Sequence, residues 1–494
     1  MNTKALRQKV LDLAIHGKLV PQNPNDESAE VLLKKIREEK AEKIKKGELK
    51  ADKKDSFIFV GSDKRHYEQF ADGTVKNIED EIPFEVPDGW AWCRLTNVAI
   101  TELGKTLDAR KNKGEPYDYL CALNVKWYTF DFTTLKQIRL EDKEKERYLV
   151  RKGDLLICEG GDVGRAAIWE SENPIYYQNA LHRVRFYQNI NQYFFLHVLN
   201  YYKNLGLIDD VSGGVTIKHF TQNSMQKLLF PLPSLAEQDR MVSVIKNIFF
   251  QIEVLEQNKS ELQDAIKQTK SKILDLAIHG KLVPQDPNDE PAEELLKRIA
   301  TSDNRPYEKV EEEPFEIPDS WKWIKLNDLA EIARGGSPRP IQDYITEDKN
   351  GINWIKIGDT SEESKYITSA KEKIKPEGKR HSRFVHAGDF LLTNSMSFGR
   401  PYILKIDGCI HDGWLVFANI KEYLLQDYLY YALSSAYIYE TFSNVAAGST
   451  VKNLKSDTVK QVNFPLPPLP EQQRIVEAIE NMYEVLDQIQ NNLI

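Results

Sequence analysis

Two stretches of this sequence have residue types that could do chemistry. GGDVG (160–164) resembles a loop that cradles a phosphate, but it lacks the G-x-G-x-x-G spacing and precedes a strand-like run rather than a helix. The carboxylates of EDK (347–349) could form part of a nuclease site, although such tripeptides are common. We interpret the glycines as a tight turn between strands and keep a nuclease with a degenerate, metal-dependent site as an open alternative.

Other signatures of catalysis are missing from the sequence. It contains no GxxxxGK[ST] phosphate loop, so ATP use by this chain is not expected. NFPLP (463–467) is not the N/D-P-P-Y/F loop of an adenine methyltransferase, and no Ser-His-Asp or metal-ligand constellation stands out. The four cysteines lie singly, which predicts neither a zinc site nor a disulfide framework and fits a reducing cytoplasm. We expect no catalytic residue, metal or cofactor in this chain.

Isolated basic residues in polar loops favour nucleic-acid binding. Arg and Lys neutralise phosphates or donate to guanine, whereas Asn and Gln can pair with adenine. The net charge of −8 argues against such a role on its own, but basic residues cluster in 104–114 and 371–383. For any single residue, a surface salt bridge is an equal alternative. The candidate DNA contacts are Lys105, Arg110, Lys111, Lys126, Arg165, Lys218, Arg334, Ser337, Arg339, Gln342, Lys356, Arg380, Arg400, Lys452 and Asn453.

An internal duplication places these residues in two halves of the chain. LDLAIHGKLVPQ occurs at 11–22 and again, unchanged, at 274–285, an offset of 263 residues. The other repeated strings have offsets of 231 to 235. The central stretch 237–279 therefore matches the C-terminal tail joined to the N-terminal head, which predicts a pseudo-two-fold molecule with a circularly permuted repeat order. The other pairs are FEVPDGWAWCRL with FEIPDSWKWIKL, GDLLICEGGDVGRAAIW with GDFLLTNSMSFGRPYIL, and the strings containing FPLPSLAEQDRMV and FPLPPLPEQQRIV.

The central stretch is typical of one long helix. Residues 236–279 contain no Gly or Pro, and apolar residues recur with the three–four alternation of a coiled-coil seam. The tail and the head carry the same stripe, so we expect the central helix to form an antiparallel pair with tail plus head. His16-Gly17 and His279-Gly280 should end helices, with the histidines as caps or packing groups. The PND that follows predicts a second helix with Asn or Asp as its N-cap.

Between the helical segments lie two mixed α/β segments that share a frame and differ in their loops. Strand-like runs such as DLLICE and WLVFANI accompany helix candidates at 192–205 and 426–440. Two recognition modules on one scaffold are predicted, each reading something different. A scaffold that holds two proteins or peptides stays open. The predicted domains are an N-terminal helical region 1–49, a first recognition domain 50–233, a central helical spacer 234–302, a second recognition domain 303–467 and a C-terminal helix 468–494.

These strings resemble the specificity subunit of Type I restriction-modification systems. The two FPLP-containing strings look like conserved spacer regions of that family. GSTVKNL (448–454), GDFLLTNSMSFGR (388–400) and ARGGSP (333–338) with GINWIKIGD look like strings of its target recognition domains. The first domain departs more, with SGGVTIKHF (212–220) where the second has AGSTVKNL, and with no GGSP equivalent.

The resemblance implies a fold and a set of partners. The fold is an α/β multidomain one, with two target recognition domains separated by a pair of long antiparallel coiled-coil helices. Each domain reads one half of a bipartite target in the major groove of double-stranded DNA, and the helices set the gap. Two methyltransferase subunits dock on the helices, bind S-adenosylmethionine and methylate adenine. Motor-nuclease subunits, which use ATP and Mg, join for cleavage. The chain itself is expected to be non-catalytic, cytoplasmic and without a membrane partner.

Overall fold

The computed structural model describes residues 2–51, 55–108, 112–214, 218–225, 228–302, 310–361, 364–395, 398–446 and 453–493. The chain divides into two compact units, Met1–Gln257 and Asn258–Ile494. A central helix of 44 residues, Leu235–Ile278, contributes to both units. This confirms the long helix predicted from the absence of Gly and Pro, and its length is about 65 Å at about 1.5 Å per residue.

The first unit combines helices with short sheets. Its central antiparallel sheet has the strand order Ala166–Ile168, Leu155–Cys158, Leu181–Phe186, Ala99–Leu103. A mixed sheet has the order Leu149–Val150, Ile175–Tyr177, Glu115–Leu120, Lys136–Leu140. Further strands are the meander Ser56–Val60, His66–Phe70, Val75–Asn77, the pair Leu229–Leu232 with Ala91–Arg94, and the hairpin Val125–Lys126 with Thr129–Phe130. The helices are Thr3–Ile15, Ala29–Lys45, Leu95–Val98, Asp142–Lys145, Gln192–Asn204, Leu207–Val211 and Gln222–Met225, with a 3-10 turn at Glu79–Glu81.

The second unit repeats this plan. One sheet has the order Glu331–Arg334, Trp414–Ala418, Phe390–Thr393, Pro401–Leu404, Tyr366–Ile367. The other has the order Ile345–Thr346, Glu372–Ile374, Ile352–Ile355, Gly408–Ile410, Arg383–Val385, and Lys322–Lys325 pairs with Asn463–Leu466. The helices are Ala292–Ser302, Leu326–Leu329, Gln426–Leu433, Ala436–Val445, Ser456–Lys460 and Leu469–Asn492, with 3-10 turns at Ile341–Asp343, Ile357–Asp359 and Pro376–His381.

The inner strands of the two main sheets explain the shared apolar strings. Leu155–Cys158 and Phe390–Thr393 are buried along their whole length, so they read as almost continuous apolar runs rather than as alternating ones. The GGDVG segment follows the first of these strands and leads into its antiparallel partner Ala166–Ile168. Gly161 and Gly164 have φ angles of 76° and 80°, which a tight turn requires. The interpretation of this segment as a turn between strands is confirmed.

In each unit, a terminal helix runs antiparallel to part of the central helix. Arg7 of the N-terminal helix donates to both carboxylate oxygens of Glu256, at 2.7 and 3.1 Å. Gln22, farther along the chain, donates to Glu237 at 2.6 Å, nearer the start of the central helix. In the second unit, the hydroxyl of Tyr483 donates to the Lys270 carbonyl at 3.1 Å. There Gln285, past the end of the central helix, donates to Glu471 near the start of the C-terminal helix at 2.6 Å.

The repeated LDLAIHGKLVPQ string builds the same helix end twice. In the first unit, His16 is the C-cap of Thr3–Ile15, and its Nδ1 lies 2.8 Å from the Asp12 carbonyl oxygen. Gly17 follows with a φ of 64°, and a Cβ there would collide with the Pro87 ring. The predicted role of these residues in ending a helix is confirmed. The matching residues of the second unit are His279, Gly280 with a φ of 66°, Asp275 and Pro318.

The helix predicted after PND is present, but its predicted N-cap is wrong. Ser28 rather than an Asn or Asp is the N-cap of Ala29–Lys45, and its side chain makes no capping hydrogen bond. Asp26 is used differently: its carboxylate accepts from Arg240 at 2.6 Å and from Ser234 at 3.2 Å, which ties this turn to the central helix. A tertiary ion pair therefore outweighs the local capping preference.

The helix candidate at 426–440 is in fact two helices. Gln426–Leu433 ends before Ser434–Ser435, and Ala436–Val445 begins after it. The Ser435 side chain caps the second helix by accepting from the Ile438 N–H at 3.4 Å. Serine hydroxyls compete for backbone groups in this way, and a serine pair is therefore a point where a helix can break. The candidate at 192–205 is confirmed as Gln192–Asn204.

Two buried histidines make the first unit sensitive to acid. Burial lowers the pKa of His197 to about 3 and that of His182 to about 4. An unfolded histidine has a pKa of about 6.5. Below that pH the unfolded state therefore binds more protons than the folded state, in which both rings stay neutral. The free energy of unfolding is therefore unaffected by the two rings above about pH 6.5. It falls progressively as the pH drops from about 6.5 towards the pKa values of the folded state.

We expect His197→Gln to reduce the acid sensitivity of the first unit. Glutamine keeps an acceptor for the Tyr128 hydroxyl, which lies 3.1 Å from His197 Nδ1, but it does not titrate. Between pH 7 and pH 5, the wild type should lose about 2 kcal/mol more free energy of unfolding than the variant. Urea titrations at the two pH values test this. An equal loss in both proteins would contradict it.

Candidate nucleic-acid interface

A glycine-rich loop of the second unit packs tightly against the segment that enters strand Trp414–Ala418. The Gly335 N–H donates to the Trp414 carbonyl at 2.9 Å, and the Gly336 N–H donates to the Ile410 carbonyl at 3.1 Å. A Cβ on Gly335 would collide with the carbonyl oxygen of His411. The glycine is therefore required for close approach of two backbones, and the residues that follow it are held at a fixed place.

Two further segments meet the same point. The Asn394 N–H, at the end of strand Phe390–Thr393, donates to the Gly413 carbonyl at 2.9 Å. The Leu454 N–H donates to the Asn394 carbonyl at 2.9 Å, which places the exposed Asn453 beside this point. We call the set of segments 334–339, 394, 410–414 and 453–454 the second loop junction.

Asp412 organises the polar side chains of the second loop junction. Its carboxylate accepts from the Ser337 hydroxyl at 2.8 Å and lies 3.6 Å from the guanidinium of Arg339. Its backbone carbonyl accepts from Arg334 Nε and from Asn394 Nδ2, both at 2.9 Å. Burial alone would raise the pKa of Asp412, but the Ser337 hydrogen bond and nearby positive charge hold it below its ordinary value. The carboxylate is ionised at neutral pH and holds two predicted contact residues in one loop.

The outer side of the second loop junction is rich in guanidinium and amide groups. The side chain of Arg339 is 83% exposed, so it can reach a ligand while it stays beside Asp412. Arg383, which the sequence analysis did not single out, is exposed and donates from Nε to the Arg334 carbonyl at 2.8 Å. Arg380 is exposed beside His381, whose backbone carbonyl lies near Gly336, and Gln342 is also exposed. Arg383 is the last residue of the basic run 371–383, and this position is the sequence signal that could have identified it.

The remaining predicted contacts of the second unit lie in other settings. Lys356 pairs with Glu372 in the neighbouring sheet. Arg400 is partly buried, and its N–H donates to the Thr393 hydroxyl at 2.8 Å. Lys452 lies outside the described residues.

The first unit has a loop junction with the same backbone frame. The Gly104 N–H donates to the Leu181 carbonyl at 2.9 Å, and the Lys105 N–H donates to the Tyr177 carbonyl at 3.2 Å. A Cβ on Gly104 would collide with the backbone of Gln178. Gly104 and Lys105 thus occupy the places of Gly335 and Gly336, although the first domain has no GGSP string. We call the set of segments 104–105, 159–160, 177–182 and 219–220 the first loop junction.

The predicted contacts of the first unit differ in accessibility. Lys105 keeps only 10% of its side-chain surface exposed, and its ammonium group forms an ion pair with Glu144. The charge of Lys105 is therefore already paired within the protein. Arg165 is largely buried and donates to the Ala122 carbonyl at 2.7 Å. Lys126 and Lys218 are about half exposed, at 48% and 49% of their side-chain surface. Arg110 and Lys111 lie outside the described residues. DNA contact by each of these residues stays a prediction.

Among the described residues, no group of three or more His, Cys, Asp and Glu side chains is arranged to hold a metal ion. No helix within the described ranges combines the length and the apolar character that crossing a membrane requires. Glu347 and Lys349 of the EDK tripeptide lie beside Gly351 in a surface turn.

Two α/β units that share a long helix, each with a tightly framed junction of polar loops, define a two-headed recognition protein. The sequence profile described as the Type I restriction modification DNA specificity domain matches residues 87–264 and again residues 318–494. The chain belongs to this family, the DNA specificity subunits of Type I restriction-modification systems.

Several characterised relatives and solved structures are similar to this chain. It is 26% identical to the Escherichia coli Type I restriction enzyme EcoEI specificity subunit, over 99% of this chain and 90% of that protein. It is 31% identical to the E. coli EcoAI specificity subunit, over 67% and 63% respectively. Among solved structures, the HsdS subunit from Thermoanaerobacter tengcongensis is 19% identical and matches with a TM-score of 0.51 over 84% of this chain and 94% of that one. A chain from a type I R-M system complex matches with a TM-score of 0.58, at 19% identity, over 83% and 94%.

Proposed function

We propose that each loop junction reads one half of a bipartite DNA target. The observation that carries this proposal is that the two junctions have the same backbone frame and different side chains. A shared frame can present each reader to a groove in the same manner, while the side chains decide which bases are accepted. Mapping methylated adenines in cells with and without this chain tests the proposal, because loss of the chain should abolish one bipartite methylation motif.

The groups of the second loop junction suit contacts with bases and phosphates. Arg334, Arg339 and Arg383 could donate to phosphate oxygens or to the guanine edge, and Gln342 and Asn453 could pair with adenine. Asp412 would keep the loop in one conformation, so that little order has to be gained on binding.

The acidic total of the chain makes partners important for affinity. With a net charge of −8, the chain alone should bind DNA weakly, and methyltransferase subunits around the duplex would supply positive charge. Comparing the DNA affinity of the chain alone with that of its methyltransferase complex tests this. In this proposal S-adenosylmethionine, ATP and Mg belong to partner subunits, of which two are methyltransferases, and this chain is not catalytic.

We further propose that the helices set the gap between the half-sites. The antiparallel pairings of Arg7 with Glu256 and of Tyr483 with Lys270 support a continuous pair of helices with pseudo-two-fold symmetry and a circularly permuted repeat order. The domain limits 1–49, 50–233, 234–302, 303–467 and 468–494 follow from this arrangement. A rigid helical spacer makes the separation of two DNA readers a geometric property of the protein.

Inserting four helix-forming residues after Glu261 should change the permitted gap without changing either half-site. Four residues lengthen a helix by about 6 Å and rotate its two ends relative to one another by about 40°. A methylation assay on targets with varied gaps measures the preference. The same insertion after Gly73, in an open surface turn, is the control. An unchanged gap preference in the helix variant would refute the proposal.

The open alternatives make distinct predictions. A two-headed scaffold for proteins or peptides would be retained by protein partners in a pull-down and not by labelled duplex DNA. A nuclease with a degenerate site would cut DNA in the presence of metal without any other subunit.

A further inference from the structure

The two loop junctions carry different side chains at one equivalent backbone position. Glu159 and Asn394 each follow an inner strand, and each makes the same pair of backbone hydrogen bonds with neighbouring loops. These bonds are Glu159 N–H to Ala180 O at 2.9 Å, Phe220 N–H to Glu159 O at 2.7 Å, Asn394 N–H to Gly413 O at 2.9 Å and Leu454 N–H to Asn394 O at 2.9 Å. The backbone is therefore held alike in both units, and only the side chain differs.

The side chain at this position is structural in the second unit and unpaired in the first. Asn394 is fully buried, where no ligand can reach it; its amide nitrogen donates to the Asp412 carbonyl, and its amide oxygen has no partner among the described residues. Glu159 keeps 16% of its side-chain surface accessible, and its carboxylate accepts no hydrogen bond from the residues that the structure describes. His182 Nε2 lies 3.7 Å from a carboxylate oxygen of Glu159, which is beyond hydrogen-bond distance. Burial raises the pKa of Glu159, as expected for a carboxyl group that lacks a donor.

A buried ring nitrogen of His182 lies next to Glu159 and also lacks a partner. The side chain of His182 is 2% exposed, and its Nε2 atom has no hydrogen-bond partner within the described part of the chain. Burial lowers the pKa of His182 to about 4, so the ring is neutral at pH 7.

A carboxylate without a donor can accept a hydrogen bond from a ligand group that carries hydrogen atoms. An unsatisfied buried polar atom is costly, and a ligand that supplies the missing donor gains the corresponding free energy. The turn next to Glu159 is open, since a Cβ on Gly160 would meet nothing closer than His219 Nδ1 at 3.8 Å and one on Gly161 would meet nothing within 4 Å. In the major groove, the exocyclic amino groups of cytosine and adenine are the base-edge donors, and carboxylates accept from the cytosine group.

We propose that Glu159 is a specificity-determining residue of the first unit that accepts a hydrogen bond from the exocyclic amino group of a cytosine or an adenine. The inference rests on the proposed reading of a half-site by each loop junction, and it names one base contact within it. Asn394, which is fully buried and bonded to Asp412, has no such role in the second unit.

Selection on a randomised bipartite target library tests this proposal. The wild type, Glu159→Gln and Glu159→Ala are each assembled with the methyltransferase subunits, and the methylated sequences are read. Glu172→Gln removes an exposed carboxylate of the same unit outside the first loop junction and is the matched control. Both Glu159 variants should lose about tenfold or more discrimination at one base pair of one half-site and keep the other half-site unchanged.

Base analogues then identify the amino group. The cytosine or adenine at the affected position is replaced by 2-pyrimidinone or by purine, which lack the exocyclic amino group. The wild type should disfavour the analogue that matches its base about tenfold, whereas Glu159→Ala should not distinguish it from the natural base.

Two outcomes would overturn the role of Glu159, and a third would overturn the proposed function; the three can be told apart. Unchanged preference at every position in both Glu159 variants overturns the role of Glu159. Loss of both half-sites in Glu159→Gln, with a lowered melting temperature, assigns Glu159 a structural role instead. A wild type that selects no half-site at all overturns the proposed function itself.

Discussion

Gly335→Ala will abolish the reading of one half-site and leave the other intact. A Cβ at this position would collide with the carbonyl oxygen of His411, a backbone atom that cannot rotate away. The loop that carries Arg334, Ser337 and Arg339 must then leave Asp412, and several polar contacts are lost together. Each good base contact is worth about 1–3 kcal/mol, so we expect a loss on the order of 100-fold in methylation of targets that depend on that half-site.

Two further variants make this result specific. Gly104→Ala, at the equivalent place in the first unit, should affect the opposite half-site. Gly358→Ala should leave both unchanged, since its Cβ would meet nothing within 4 Å. A Gly335→Ala protein that selects the wild-type sequence in both half-sites would show that this loop does not take part in recognition.

Gly17→Ala and Gly280→Ala will strongly destabilise the units in which they lie. Both glycines have left-handed backbone conformations, with φ angles of 64° and 66°, and a Cβ on either would collide with a proline ring. The conformation costs about 1–2 kcal/mol for a non-glycine residue. Forcing a group into packed surroundings adds about 1–3 kcal/mol. Denaturant unfolding should show a loss of about 3 kcal/mol in each case, the sum of these two effects.

Gly47→Ala separates the two contributions. Gly47 has a φ of 73°, and a Cβ there would meet nothing within 4 Å. It should therefore show only the conformational cost of about 1–2 kcal/mol. Equal losses for Gly47→Ala and Gly17→Ala would mean that the contact with Pro87 contributes nothing.

The features predicted from the sequence are those with a strong local signal. A stretch of over 40 residues without Gly or Pro and with coiled-coil periodicity predicted the helix Leu235–Ile278 almost to the residue. The apolar runs around Leu155 and Phe390 predicted the inner strands, because buried strands need no polar face. His16-Gly17 predicted a helix end through the conformation that glycine permits.

The features that escaped prediction depend on residues far apart in the chain. Asp412 has no motif around it, and it became significant only because Ser337, 75 residues earlier, reaches its carboxylate. Gly104 matches Gly335 in backbone contacts although its neighbours in the sequence differ. Asp26 was assigned to a helix cap, yet Arg240 holds it instead. Local propensity cannot weigh such tertiary contacts, and loops are where they concentrate.

The pairing of strand Ala91–Arg94 with Leu229–Leu232 bears on how the chain matures during translation. The first unit cannot complete its core until the ribosome has added more than a hundred residues beyond Trp90, whose indole N–H bonds to Glu237. The second unit depends on distant residues in the same way, because Ile475 and Ile479 of the helix Leu469–Asn492 belong to its core. The nascent apolar strands of both units therefore stay unprotected until a distant helix has been synthesised, which gives both units a need for chaperones.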